Sequence, residues 1–256
     1  FWFAIPAWMA ANGAPAADVG SVLALTALPW SLKFVNGFIM DRYTWLPMGR
    51  RRVWLLGAQA VMIASLLVAM ILNPDVADVA VLGAIGFVVN MATTFQDVAV
   101  DGLAVDIMEE DERARGSGMM FGGQSIGIAT ATALTGAVIG DYGAPAAFAI
   151  VALLILLLCA YIASFTEREG ERRLPWQAGT AHPRNLAIQA EAWWPILKST
   201  VLSLGKVTSL LWLPVLFGRG MLYGGLTGAT PLIGANYVGW DEAQISSLTA
   251  AAGLVA

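Results

Sequence analysis

Long apolar stretches recur along this chain, and short polar segments separate them. A helix that crosses a bilayer needs about 20 mostly apolar residues, because the hydrocarbon core is about 30 Å thick. Hydrophobic residues make up 58% of the 256 residues and charged residues 12%, whereas an ordinary soluble domain has roughly 45–50% and 25%. The pattern excludes a disordered chain and most soluble folds. It predicts an all-α, multi-pass membrane protein.

The apolar stretches predict six full membrane spans and parts of two more. Residues 1–11 look like the end of a span whose beginning is missing, because the chain starts in apolar sequence without Met. A further span opens near Ala243. The six full spans are predicted over 19–40, 53–72, 79–107, 117–139, 145–165 and 207–237.

The charged residues indicate which ends of these spans share a side of the membrane. Twelve of the 14 Lys and Arg residues fall in alternate loops. The charged residues of the intervening loops are all acidic. The two exceptions, Lys33 and Arg219, fall inside predicted spans. Cytoplasmic loops collect Lys and Arg. We therefore predict that the side with the arginine-rich loops, called the basic side below, is cytoplasmic.

A long polar segment over 166–206 divides the chain. It predicts an N-terminal bundle over 1–165, a cytoplasmic linker over 166–206, and the start of a C-terminal bundle over 207–256. Within the linker, residues 185–204 combine tryptophan and aliphatic side chains with Lys198. This mixture is typical of an amphipathic helix at the membrane surface, and a plain loop is the alternative.

The most informative loop reads GFIMDRYTWLPMGRRR, over residues 37–52. An aspartate at a helix end beside several arginines can form a cluster of charge-assisted hydrogen bonds that holds one conformation. The loop resembles the signature loop of the major facilitator superfamily. Its long spacing between Arg42 and Gly49 is similar to that of AmpG-type muropeptide permeases and acetyl-coenzyme A transporters. The resemblance implies a cytoplasmic gate at Gly37, Asp41, Arg42, Gly49, Arg50 and Arg51. Alternatively, the arginines at 50–52 only anchor the topology and contact lipid headgroups.

A second segment, FQDVAVDGLAVDIMEEDER over residues 95–113, resembles the end of the fourth span in the same permeases. Its aspartates need partners or water, because a charge at membrane depth costs several kcal/mol. Asp97 and Asp101 share one helix face, and Asp106 is expected at the interface. We predict that Arg42 bonds to Asp101 or Asp106, which closes the basic side in the outward-facing state.

Lys33 and Asp97 are predicted to form a buried ion pair that serves coupling. Lys33 lies eight residues before Asp41, and Asp97 lies nine residues before Asp106. At 1.5 Å per residue, both lie about 12 to 14 Å inside the interface. The alternative is that Lys33 extends to the headgroups while Asp97 is protonated or faces a wet cavity.

Arg219 is predicted to be the main positive charge at the substrate site. It lies in the segment over 216–239, which resembles the seventh span of the permeases, although Met221 stands where an acid is expected. Counted from Val207, Arg219 is about 18 Å deep, close to the middle of the bilayer. Its planar guanidinium suits a carboxylate or phosphate, and Gln96 and Tyr223 are expected to contribute to the same site. A fixed ion pair with an acid in further spans is the alternative.

The resemblance implies a secondary transporter of the bacterial inner membrane that takes up a small amphiphilic or anionic solute, such as a muropeptide, with protons. A membrane-embedded enzyme, a channel or a receptor-like protein are the alternatives. No catalytic cluster, cofactor or metal site is expected, since the chain has one cysteine and one histidine. A net charge of -4 does not favour nucleic acid as a partner. Glycines at 118, 122, 123 and 127 are predicted to allow close helix packing.

Overall fold

The computed structural model describes residues 1–188 and 193–255, and the regular secondary structure of these residues is entirely helical. A short 3₁₀ turn covers Leu46–Met48, and a π-helical turn, Gly234–Val238, continues α10. The α-helices are α1 (Ala4–Ala11), α2 (Ala16–Ser31), α3 (Lys33–Arg42), α4 (Arg52–Leu72), α5 (Val79–Ile107), α6 (Arg113–Tyr142), α7 (Ala144–Ala163), α8 (Pro183–Ala187), α9 (Trp193–Leu204), α10 (Val207–Ile233) and α11 (Glu242–Val255).

These helices confirm the predicted all-α, multi-pass class. Among the described residues, α4, α5 and α7 are each long and apolar enough to cross a membrane, and the number rises to at most five if each of two bent helix pairs counts as one span. The predicted span over 117–139 lies within α6, which has 30 residues but is not among these candidates. Its glycine, serine and threonine residues lower its hydropathy. Neighbouring helices cover part of this polar surface, including Thr132 and Gly136, so these residues of α6 do not face lipid.

The predicted span over 19–40 is a bent pair, α2 and α3, rather than one straight helix. The two axes differ by 43°. Pro29 lies in the last turn of α2 and has no N–H to donate, so the helix breaks at Leu32. The break makes Lys33 the first residue of α3.

The main apolar core joins the ends of the helices on the side opposite the basic side. Met9, Val22, Leu82 and Phe148 are among its buried members, and they come from α1, α2, α5 and α7. A smaller core lies near the basic side, where Met40, Leu55 and Ala99 pack together. Beside it, the rings of Trp54 and Phe95 stack with centroids 5.4 Å apart. The two cores fix the relative depths of α3, α4 and α5.

The glycines of α6 pack differently from the prediction. Among the described residues, no atom of another element lies within 4 Å of a Cβ built at Gly118, Gly122, Gly123 or Gly127. Close packing occurs nearer the other end of α6, where a Cβ at Gly136 would collide with Ser246 of α11. Within the described part of the chain, close packing of α6 is therefore found where α11 meets its second half and not at the four predicted glycines.

The predicted amphipathic segment over 185–204 divides between α8 and α9, and its residues 189–192 lie outside the described residues. From Trp193 onwards the linker is helical, which excludes the plain-loop alternative for Trp193–Leu204. The prediction that the chain divides into two bundles joined by a linker stays a prediction.

Candidate functional site

Four charged side chains meet where α3, α4 and α5 reach the basic side. We call Asp41, Arg50, Arg51 and Asp106 the charge cluster. Arg51 Nη1 forms an ion pair with Asp41 Oδ1 at 2.9 Å, and Arg51 Nε donates to Asp106 Oδ2 at 3.1 Å. Arg50 Nη2 donates to the same Asp41 oxygen at 3.2 Å. The side chains of Arg50 and Arg51 are only 7% and 12% exposed. Arg51 therefore ties the end of α3 to the end of α5.

The structure corrects the predicted role of Arg42. Arg42 is exposed, and within the described residues it forms no ion pair with Asp101 or Asp106. Arg51 holds Asp106 instead, because the long loop after α3 turns back and brings the start of α4 between α3 and α5. Arg42 is the last residue of α3 and is exposed there.

Glu167, in the linker, caps the first turn of α4. Its carboxylate accepts hydrogen bonds from the backbone N–H groups of Arg50, Arg51 and Arg52, at 3.1, 2.8 and 2.9 Å. The first N–H groups of a helix have no partner within the helix, and a negative charge there is favourable. No sequence pattern indicated this contact, since Glu167 is 115 residues from Arg52, the first residue of α4.

Two glycines make room for the cluster. Gly49 has φ of +98°, and a Cβ there would lie 2.6 Å from Glu167 Oε2. A Cβ at Gly102 would lie 2.6 Å from Arg51 Nε. Gly102 was missed, although its position one turn before Asp106 places both on the same face of α5. By contrast, a Cβ at Gly37 would meet nothing within 4 Å among the described residues.

Arg52 is a buried anchor for the linker. The residue is 1% exposed, and its guanidinium donates to the carbonyl oxygens of Ile162, Ala163, Arg172 and Arg173. Those carbonyls belong to the end of α7 and to the segment that follows it. The alternative in which the arginines at 50–52 contact lipid headgroups is therefore wrong for the described structure, since all three side chains turn inward.

The linker after α7 folds against the same junction. Arg168 Nη2 donates to the backbone oxygen of Asp106 at 2.9 Å, and the Arg172 N–H donates to Pro47 O at 2.8 Å. Glu171 is 5% exposed and accepts from Asn185 Nδ2 at 2.7 Å. Burial raises the pKa of Glu171, and hydrogen bonds from the Arg168 N–H and from Asn185 oppose that rise. Hydrogen bonds of Glu167 and Arg168 therefore attach the linker to the charge cluster.

A second charged group lies deeper along α3 and α5. We call Lys33, Asp97 and Asp101 the lysine group. Lys33 Nζ is in ion-pair contact with Asp97 Oδ2 and lies 3.8 Å from Asp101 Oδ2. It also lies 5.6 Å from the centre of the Trp30 ring. The Lys33 and Asp97 side chains are 33% and 26% exposed, so the pair is half-buried rather than buried.

Polar contacts fix the helices around the lysine group. Asn90 Oδ1 accepts from the indole N–H of Trp2 at 2.9 Å and of Trp30 at 3.2 Å. Asn36 Nδ2 donates to Thr94 Oγ1 at 2.8 Å and so joins α3 to α5. These residues were not identified from the sequence. A lone asparagine within an apolar span, such as Asn90, is the signal that could have found them.

The three predicted substrate residues lie on two helices, Arg219 and Tyr223 on α10 and Gln96 on α5. Arg219 and Tyr223 are exposed on α10, and within the described residues Arg219 forms no ion pair or side-chain hydrogen bond. Gln96 Oε1, on α5, is buried and has no hydrogen-bond partner in the described part of the chain. Helix α10 begins at Val207, the start from which the depth of Arg219 was counted, and the role of Arg219 stays a prediction.

The chain is similar to a known family along its whole length. The model of the family described as Major Facilitator Superfamily matches residues 1–256. The anhydromuropeptide permeases of Escherichia coli K12 and of Escherichia coli O157:H7 are each 27% identical to the chain over 124 residues. Those residues are 48% of this chain and 25% of each relative, so the match spans a quarter of the length of these curated relatives. No solved structure matches the chain.

Proposed function

Because the chain belongs to the major facilitator superfamily, we propose that it supplies the N-terminal half and the first part of the C-terminal half of a secondary transporter. We propose that the transporter takes up a small amphiphilic or anionic solute with protons. The name of the permease relatives supports an anhydromuropeptide as the first solute to test.

The lysine group is the observation that carries the proposal. An ionisable group at membrane depth is expensive and is retained for a role, such as proton transfer. Asp97 and Asp101 share one lysine and are 26% and 60% exposed, so water or a solute can reach them. Protonation of either carboxylate removes an attraction to Lys33. This gives proton binding a direct effect on the contact between α3 and α5.

We assign a different role to the charge cluster. Arg51 and Glu167 hold the basic ends of α3, α4 and α5 together with the linker. All of these elements belong to the predicted N-terminal bundle and its linker, so the cluster makes their ends move as one body. We propose that this body closes the basic side in the outward-facing state, with Asp41 and Arg51 as the central pair.

The experiment that tests this function is uptake by the full-length protein in proteoliposomes. We expect saturable uptake of a labelled anhydromuropeptide, stimulated by an imposed pH gradient. Asp97→Asn should abolish the stimulation, whereas the matched variant Asp111→Asn, an exposed acid in the loop after α5, should retain it. Uptake that rises linearly with concentration contradicts a carrier. Saturable uptake that does not change with the pH gradient contradicts only the proton coupling and is still consistent with a carrier.

Arg219 is proposed to bind the anionic group of the solute. Arg219→Lys keeps the positive charge but loses the planar donor pair, so we expect weaker apparent affinity with normal expression. Unchanged affinity in both Arg219→Lys and Arg219→Gln contradicts the role.

A further inference from the structure

Helix α9 carries an apolar stripe that the described protein does not cover. At 100° per residue, Trp193, Trp194, Leu197, Val201 and Leu204 fall within about 100° of one another around the helix. None of the residues of α9 is buried, and Trp193 and Trp194 are 53% and 60% exposed. The two indole rings contact each other edge to face, with centroids 5.6 Å apart.

The angle between α9 and α10 fixes the direction of this helix. The two axes differ by 78° across the break at Gly205 and Lys206. The 27 residues of α10 extend about 40 Å and are long enough to cross a bilayer, whereas the 12 residues of α9 extend only about 18 Å. If α10 crosses the membrane, α9 lies nearly parallel to its surface. By length alone, α10 does not need α9 to complete a span, although only the two helices together are apolar enough to count as a candidate span.

The charges of α9 favour one leaflet. The helix has no acidic residue, it carries an exposed Lys198, and Lys206 immediately precedes α10. The remaining basic loops lie on this same side of the chain. Anionic lipids of the cytoplasmic leaflet attract such lysines near the membrane surface.

We propose that α9 binds the anionic surface of the cytoplasmic leaflet. Its tryptophan stripe lies towards the acyl chains, and Lys198 lies at the headgroups. Tryptophan suits this depth, because the ring is mostly apolar while its N–H stays near water. The contact places Val207 at the interface, and so sets Arg219 at the depth at which a charge cannot reach the headgroups.

Site-directed spin labels on the full-length protein in anionic nanodiscs test this proposal. Single cysteines replace Leu197 and Val201 on the stripe, and Ser199 and Ser203 on the opposite face, in a background without Cys159 or other cysteines. We expect apolar oxygen to collide with the labels at 197 and 201 more often than a water-soluble nickel complex does. At 199 and 203 the order should reverse.

Three results would overturn the proposal. Equal access of the nickel complex to all four labels means that α9 lies in water. Exclusion of both reagents at 197 and 201 means that the stripe packs against the protein itself. An unchanged contrast when phosphatidylcholine replaces phosphatidylglycerol, or when Lys198 is replaced by Gln, means that the anionic charge of the lipid has no part. These readings do not depend on transport, so they stand apart from the test of the proposed function.

Discussion

Two groups of charged residues lie along α3 and α5, and their surroundings differ. In the charge cluster, Arg50 and Arg51 are nearly buried and each has at least one carboxylate partner. In the lysine group, one lysine faces two aspartates, and all three side chains are partly exposed. A network whose cations are nearly buried loses several contacts when one member changes. A half-exposed group can exchange a partner for water. The comparison assigns rigidity to the first group and variable charge to the second.

The largest effect is expected at Arg52, the buried neighbour of Arg51 that anchors the linker. Replacing Arg52 by Met leaves four backbone carbonyls without their donor, so we expect stability to fall by roughly 3 kcal/mol. The thermal midpoint of the full-length protein in detergent measures this loss. Arg42→Met, at an exposed arginine of the same loop, is the control and should change the midpoint little. Equal midpoints for the two variants contradict the role of Arg52.

A smaller effect should separate Gly49 from Gly37. A side chain at Gly49 meets both the left-handed backbone and Glu167, so Gly49→Ala should cost about 1–3 kcal/mol. Gly37→Ala meets nothing within 4 Å and lies in a helix, where Ala is favoured over Gly. The same thermal midpoints check both. If Gly37→Ala destabilises as much as Gly49→Ala, the cluster does not explain the glycines of this loop.

The two charged groups should respond oppositely to loss of an aspartate. Asp97→Asn is expected to reduce gradient-driven uptake at least tenfold, about 1.4 kcal/mol, while the thermal midpoint changes little. Asp106→Asn should lower the midpoint more, because Arg51 is held by only two carboxylates and has little water in reach. Gradient-driven uptake and the thermal midpoint are measured for both Asp97→Asn and Asp106→Asn. If the thermal midpoint falls equally in both variants, the charge cluster is not more rigid than the lysine group.

The smallest effect concerns pH at the linker. Burial raises the pKa of Glu171 from its ordinary value of 4.5, so the folded linker binds the proton more tightly than the unfolded linker does. Its contribution is fully present below pH 4.5 and is lost as pH rises through the raised pKa. Hydrogen exchange of residues 165–187 should therefore quicken over that range, beyond the intrinsic change with pH. Glu171→Gln should remove this dependence, and Glu169→Gln, at an exposed acid, should keep it.

The spans at α4, α5 and α7 were predictable from the sequence because the bilayer sets their length. The predicted span over 79–107 agrees with α5 at both ends, and Val207 begins α10 as expected. Such boundaries depend on the composition of nearby residues, so a single sequence is enough to predict them. The bend at Leu32 was missed, although Pro29 was its signal.

The pairing of charges was only partly predictable. Equal depth along two helices brought Lys33 and Asp97 together, because depth follows from residue count. The choice of Arg51 over Arg42 depends on how an irregular loop turns back, and residue count does not describe that path. Glu167 joins from a segment that is distant in sequence, so only the folded linker brings it to α4.

The bend between α2 and α3 has an electrostatic consequence for Lys33. The aligned peptide groups of a helix place partial positive charge at its first turn, and Lys33 is the first residue of α3. A lysine is disfavoured there, so the two aspartates of α5 offset the helix dipole as well as the ammonium group. Straightening the bend would merge α3 with α2 and move that partial charge away from Lys33. The angle of the bend and the strength of the ion pair are therefore linked, and a change in either one changes the other.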